Sequence, residues 1–94
     1  MFKSKENHNE EYYMNMFAYK MKEAWRLSKT DIEGFILARK YLKKAKLNQE
    51  NHPYLWGFRK RIDKIKPYSM EGRFEMDRCL KEFFSKKMEL TKNS

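Results

Sequence analysis

Apolar residues recur along this chain every three or four positions between charged runs, and no stretch alternates apolar and polar over a strand's length. At 100° per residue, Tyr13, Met14, Phe17, Met21, Ala24 and Trp25 share one face, which predicts a first helix from about Glu10 to Ser28. Thr30-Asp31-Ile32-Glu33 fits a capping box, in which Thr accepts from a free backbone N–H and Glu reaches back. It opens a second helix running to about Leu47, with Phe35, Ala38, Tyr41, Leu42 and Ala45 inward, and Asn48 to Asn51 reads as a polar connection. Pro53 suits the first turn of a third helix, where its missing N–H costs nothing. Tyr54, Leu55, Phe58, Ile62 and Ile65 form the core side of that helix, and Pro67 stops it just after Lys66. Ser69 is the N-cap of a fourth helix, with Glu71 in its first turn and Met76, Cys79, Leu80, Phe83 and Phe84 on its inner side. The charged tail after Met88 is expected to loosen.

Four amphipathic helices joined by short links predict an all-α fold, a small bundle or orthogonal array of about four helices. A chain of 94 residues fits a single helical domain, 1–94, with 1–8 and 90–94 expected to fray. A mean hydropathy of -1.04 would suit disorder, but 16% aromatic residues at helical spacing favour a folded domain with charged outer faces. The single cysteine, Cys79, cannot close an intrachain disulfide. The polar start MFKSKENHNEEYY has no signal-peptide character, and no run is apolar enough to span a bilayer, so the expected compartment is cytoplasmic, or nucleoplasm where the source has one. Richness in Lys, Glu, Asn, Met, Phe and Tyr with little Gly, Pro, Ala or Val suits an AT-rich coding source, such as some bacteria and their phages.

Charge changes the picture more than composition does. Residues 29–68 hold eleven Lys/Arg against four Asp/Glu, so +7 of the net +9 lies in the middle two helices. In the second helix Arg39, Lys40, Lys43, Lys44 and Lys46 form one arc opposite the core stripe. In the third, Arg59, Lys60, Lys64 and Lys66 point away from Leu55, Phe58 and Ile62. Packed as an antiparallel pair, these helices would merge their outer faces into a surface that attracts polyanions and releases their counterions. Basic outer faces also keep small domains soluble, but solubility alone does not require the excess to be pooled in forty residues. Trp56 projects between Arg59 and Lys60, where an aromatic can stack on an unpaired base, although a tryptophan at the start of a helix can equally pack on a neighbour.

A second apolar stripe, Tyr12, Met16 and Tyr19, runs along the first helix away from Phe17, with Leu27 nearby. Either the bundle wraps this helix more fully, or the stripe is a homodimer seam or a dock for another protein. Catalytic and metal chemistry find no footing. His8 and His52 have no partners at ligand spacing, the acids are scattered, and Gly34, Gly57 and Gly72 stand alone rather than in a phosphate loop. No metal and no cofactor are expected, nor is a helix-turn-helix matched at Pro53. The sequence thus predicts a non-enzymatic nucleic-acid-binding protein, with RNA or single-stranded DNA preferred. Its contacts would be Arg39, Lys40, Lys43, Lys44, Trp56, Arg59, Lys60 and Lys64. The alternative is a protein-binding module or inhibitor, of the kind a phage encodes, that docks an acidic partner protein with help from Tyr12, Met16 and Tyr19.

Overall fold

Asn9 starts the first helix by accepting the Tyr12 N–H at its Oδ1, 2.8 Å away. In this computed structural model, which describes residues 8–92, four helices follow in order: α1 (Glu10–Leu27), α2 (Asp31–Lys44), α3 (Pro53–Asp63) and α4 (Met70–Lys92). The all-α fold read from the periodicity is the fold observed. Thr30 Oγ1 caps α2 by accepting from Glu33 N–H at 3.1 Å, and Glu33 reaches back to the N–H of Lys29. Ser69 caps α4, its Oγ accepting from Gly72 N–H at 2.9 Å while its own O–H donates to the Lys66 carbonyl.

Three boundaries differ from expectation. Helix α2 stops at Lys44, short of Leu47, because Ala45 turns extended and residues 48–52 close on themselves. Asn48 accepts from the N–H groups of Asn51 and His52, and its own N–H donates to His52 Nδ1. Helix α3 stops at Asp63 rather than Lys66. Helix α4 does not loosen after Met88 but continues to Lys92. Of the ends expected to fray, 1–7 and 93–94 lie outside the described residues. His8 is held: its ring stacks on Tyr12 at 3.8 Å, and its carbonyl lies 3.0 Å from His52 Nε2. His52 occupies the N-cap position of α3 without a side-chain cap; it is buried, accepting at Nδ1 and so donating at Nε2.

All four helices supply the core. Phe17, Phe58 and Phe83 meet with ring centroids 5.0–5.7 Å apart, surrounded by Met14, Met21, Leu42, Leu55, Ile62 and Cys79. Fully burying a side chain of this size stabilises by roughly 1.5–3 kcal/mol, so the cluster dominates the stability of so small a domain. Burial pushes the Cys79 thiol pKa up, which keeps it protonated. Phe84, placed on the inner side by its spacing, instead lies at the edge of α4, its ring against Phe83 and 38% exposed.

Helices α1 and α2 form a tight hairpin. Trp25 lies flat against Gly34, where any Cβ would collide with the indole, and its Nε1 donates to the Asp31 carbonyl at 2.9 Å. Helix α3 has eleven residues, too few to persist alone. It is capped from outside at both ends. At its start, Glu10 of α1 accepts the Leu55 N–H at 2.6 Å; at its end, Arg39 of α2 donates Nη1 to the carbonyls of Ile62 and Ile65 at 2.8 and 3.0 Å. A carboxylate at the N-terminus and a guanidinium at the C-terminus both oppose the helix dipole.

Candidate nucleic-acid interface

The link through residues 45–52 joins the end of α2 to the start of α3, and Arg39 reaches α3's last carbonyls, so the two helices run antiparallel. That geometry puts Lys43, one turn beyond Arg39, at the level of Arg59, one turn before Asp63. Lys40 and Lys44 stand on the outer side of α2, exposed. Lys60 is exposed on α3, its ammonium 4.4 Å from the centroid of the Trp56 ring. The two basic arcs therefore adjoin.

The sequence-predicted contacts fall into three groups. Lys40, Lys43, Lys44, Arg59 and Lys60 are brought onto adjoining faces. Lys64 sits apart, lining a cleft of about 540 Å³ between the end of α3 and the first turn of α4, together with Arg61, Glu71 and Glu75. Arg39 is committed elsewhere: Nη1 holds α3's terminal carbonyls and the guanidinium lies 5.4 Å from the Phe35 centroid, so it fastens helices rather than facing solvent. Trp56 is half-buried, and one face of its indole already carries the Lys60 ammonium.

Pairing separates these cations from most of those on α4. Among the described residues, Arg61 bridges to Glu82 at 2.8 Å and to Glu75, while Arg78, Lys81 and Lys86 each pair with an acid on α4. Lys40, Lys43, Lys44, Arg59, Lys60 and Lys64 have no ion-pair partner among the described residues. The positive potential of α2–α3 is thus not cancelled locally, whereas that of α4 largely is.

The three residues of the α1 stripe differ in their surroundings. Tyr12 is engaged with His8 and Tyr13, Met16 is half-buried, and Tyr19 is 56% exposed with its hydroxyl 3.5 Å from Glu23. Tyr19 instead joins Trp25 and Phe84 in a cleft of about 490 Å³ between α1 and α4, flanked by Lys22 and Lys87. Sequence reasoning missed that cleft, along with the roles of Glu10 and Arg39. No group of three or more His, Cys, Asp or Glu capable of holding a metal occurs among the described residues, and no helix there is long and apolar enough to cross a membrane.

No family model matches the chain, and no curated protein or solved structure matches it.

Proposed function

We propose that this is a nucleic-acid-binding protein, acting without catalysis, whose α2–α3 face holds the phosphates of single-stranded RNA or DNA. The observation that supports it is the set of cations on that face, Lys40, Lys43, Lys44, Arg59 and Lys60, without acidic partners among the described residues, while Arg78, Lys81 and Lys86 of α4 are paired. Unpaired cations over a connected face bind polyphosphate by releasing its condensed counterions, and they do so without first breaking internal ion pairs. Trp56 supplies a sequence-tolerant stacking platform once the Lys60 ammonium leaves its face for a phosphate, which favours single strands over duplex. Arg39 is left out of the contact set because α3 occupies it.

Binding to labelled single-stranded RNA and to duplex DNA across a salt series tests this reading. Wild-type protein binds the single strand more tightly, with affinity falling steeply as salt rises. Replacing Lys40, Lys43, Lys44 and Lys60 with Glu removes four exposed cations of that face without touching the core, and the salt slope drops by roughly 3 on a single strand. Unchanged affinity in that variant overturns the proposal, and tighter duplex binding overturns the single-strand preference.

A second reading rests on the Tyr19–Trp25–Phe84 cleft. An acidic protein segment could lay apolar anchors there while its carboxylates meet Lys22 and the wider basic surface. It predicts capture of one stoichiometric protein from source lysate, weakened but not abolished by salt, and only weak, easily competed nucleic-acid binding.

A further inference from the structure

We infer that the protein self-associates through the outer face of α4, two copies packing antiparallel about a two-fold axis at the level of Cys79. The helix carries Met70, Phe74, Asp77, Lys81, Phe84 and Met88 at alternating spacings of four and three, the repeat of a coiled-coil seam. Apart from Phe84, whose ring also rests on Phe83, none of these side chains is spent on the core. Met70 is 77% exposed, Phe74 71%, Met88 63% and Phe84 38%, and Asp77 and Lys81 are solvent-facing. Single exposed apolar residues are ordinary, but four large ones on one line of the longest helix form a connected surface.

What identifies the occupant is the symmetry of the stripe. Running a second copy antiparallel puts Met70 against Met88 of the partner subunit, Phe74 against Phe84 of the partner subunit, and Asp77 against Lys81 of the partner subunit. Every position thus meets a chemically complementary one, and a two-fold interface must be self-complementary in this way. The central Asp77–Lys81 ion pair, 3.1 Å within one chain, becomes a four-charge cluster of alternating sign on the axis. A parallel arrangement would set Asp against Asp and Lys against Lys, which like-charge repulsion disfavours. Arg78, beside the seam, is already neutralised by Glu75 at 2.8 Å.

This surface lies apart from the α2–α3 face, and salt acts on the two in opposite directions. Copies carrying +9 each repel, so screening strengthens their association. Screening weakens polyanion binding instead.

Sedimentation equilibrium of the full chain over a concentration series tests the inference. Wild type shows a monomer–dimer equilibrium that shifts toward dimer as salt rises. Phe74→Glu and Met70→Glu, both at exposed positions, each raise the dissociation constant by roughly 100-fold or more, since each change is made on both copies. Helical circular dichroism unchanged in at least one of them excludes misfolding as the cause. Asp77→Lys and Lys81→Asp are each monomeric alone and associate when mixed. Variants Met70→Cys and Met88→Cys, in which the native Cys79 stays buried, cross-link 70 to 88 when mixed and oxidised. A monomer at every concentration, a dimer indifferent to these substitutions, or cross-links joining 70 only to 70 would overturn it. None of these variants alters the phosphate-binding face, so failure here leaves that proposal standing.

Discussion

Helices α3 and α4 lie side by side, and both are rich in cations, yet they handle charge in opposite ways. On α4, Arg78, Lys81 and Lys86 each find an acid three or four residues away, so the helix is nearly neutral turn by turn. On α3, Arg61 takes its acids from α4, and Arg59, Lys60 and Lys64 take none. The helices also differ in what holds them. Helix α4 is long and supplies its own cap at Ser69, whereas α3 is short and borrows caps from Glu10 and Arg39. A helix fastened from outside can leave its own polar side chains uncommitted. That arrangement separates cations that hold the fold from cations that face solvent, although the sequence writes both as Arg or Lys.

Substitution of the two borrowed caps should produce the largest effect on stability. Arg39→Ala removes two charge-assisted hydrogen bonds to the carbonyls of Ile62 and Ile65, the first of which keeps the Ile65 N–H, costing about 2 kcal/mol; Glu10→Gln costs about 1 kcal/mol by weakening the bond to Leu55 N–H. Chemical denaturation measures both. The comparison sharpens if Lys43→Ala, one turn from Arg39, behaves inversely, leaving stability within about 0.5 kcal/mol while lowering nucleic-acid affinity. Equal destabilisation by Arg39→Ala and Lys43→Ala would erase the distinction between fastening and free cations.

That distinction also marks how far the sequence could be read. Phe17, Phe35, Leu42, Leu55, Phe58, Ile62 and Phe83 were legible as core because a 3.6-residue period reports which side of a helix is buried. Thr30 and Ser69 were legible as caps because their partners lie three residues on. Arg39 and Glu10 were not, since their partners lie 23 to 45 residues away and nothing local distinguishes Arg39 from Lys40. Helix ends at Lys44 and Asp63 failed for the same reason: the Asn48–His52 turn and the Arg39 bond that replace the last turns are set by the assembled structure. The Met70–Met88 stripe follows the same spacing, but only the assembled bundle shows that this side of α4 is left uncovered.

A smaller effect appears at high pH, at the α3–α4 contact. Tyr54 stacks with Phe58 and Phe83, and its hydroxyl is buried without a hydrogen-bond partner among the described residues. Burial pushes its phenol up to about 12, with Arg61 pulling the other way. The unfolded chain loses this proton near the ordinary value of 10.0, while the folded protein keeps it until about 12. Stability is therefore unaffected below pH 10 and falls between pH 10 and 12, by up to about 2 kcal/mol. Tyr54→Phe removes that loss, and at neutral pH it is neutral or slightly stabilising because it deletes an unsatisfied hydroxyl. An alkaline unfolding curve identical in wild type and variant would show that the phenol is solvated in the native state.

The smallest effect is the most telling for the α3 face. Gly57 stands in the middle of α3, and a Cβ there would meet nothing within 4 Å. Gly34 and Gly72 differ, since a Cβ at Gly34 would strike Trp25 and one at Gly72 the Lys66 carbonyl, which explains those two glycines by packing alone. Packing gives Gly57 no such reason. Gly57→Ala should stabilise by about 0.5–1 kcal/mol, through helix propensity and loss of unfolded-state entropy. Gly57 lies beside Trp56 and one turn from Lys60 and Arg61, so a bare backbone there leaves room for a ligand to approach closely. Stability that rises while single-strand affinity falls would place Gly57 inside the contact surface. Stability that rises with affinity unchanged would confine binding to the cations, and α3 would then contribute charge but no shape.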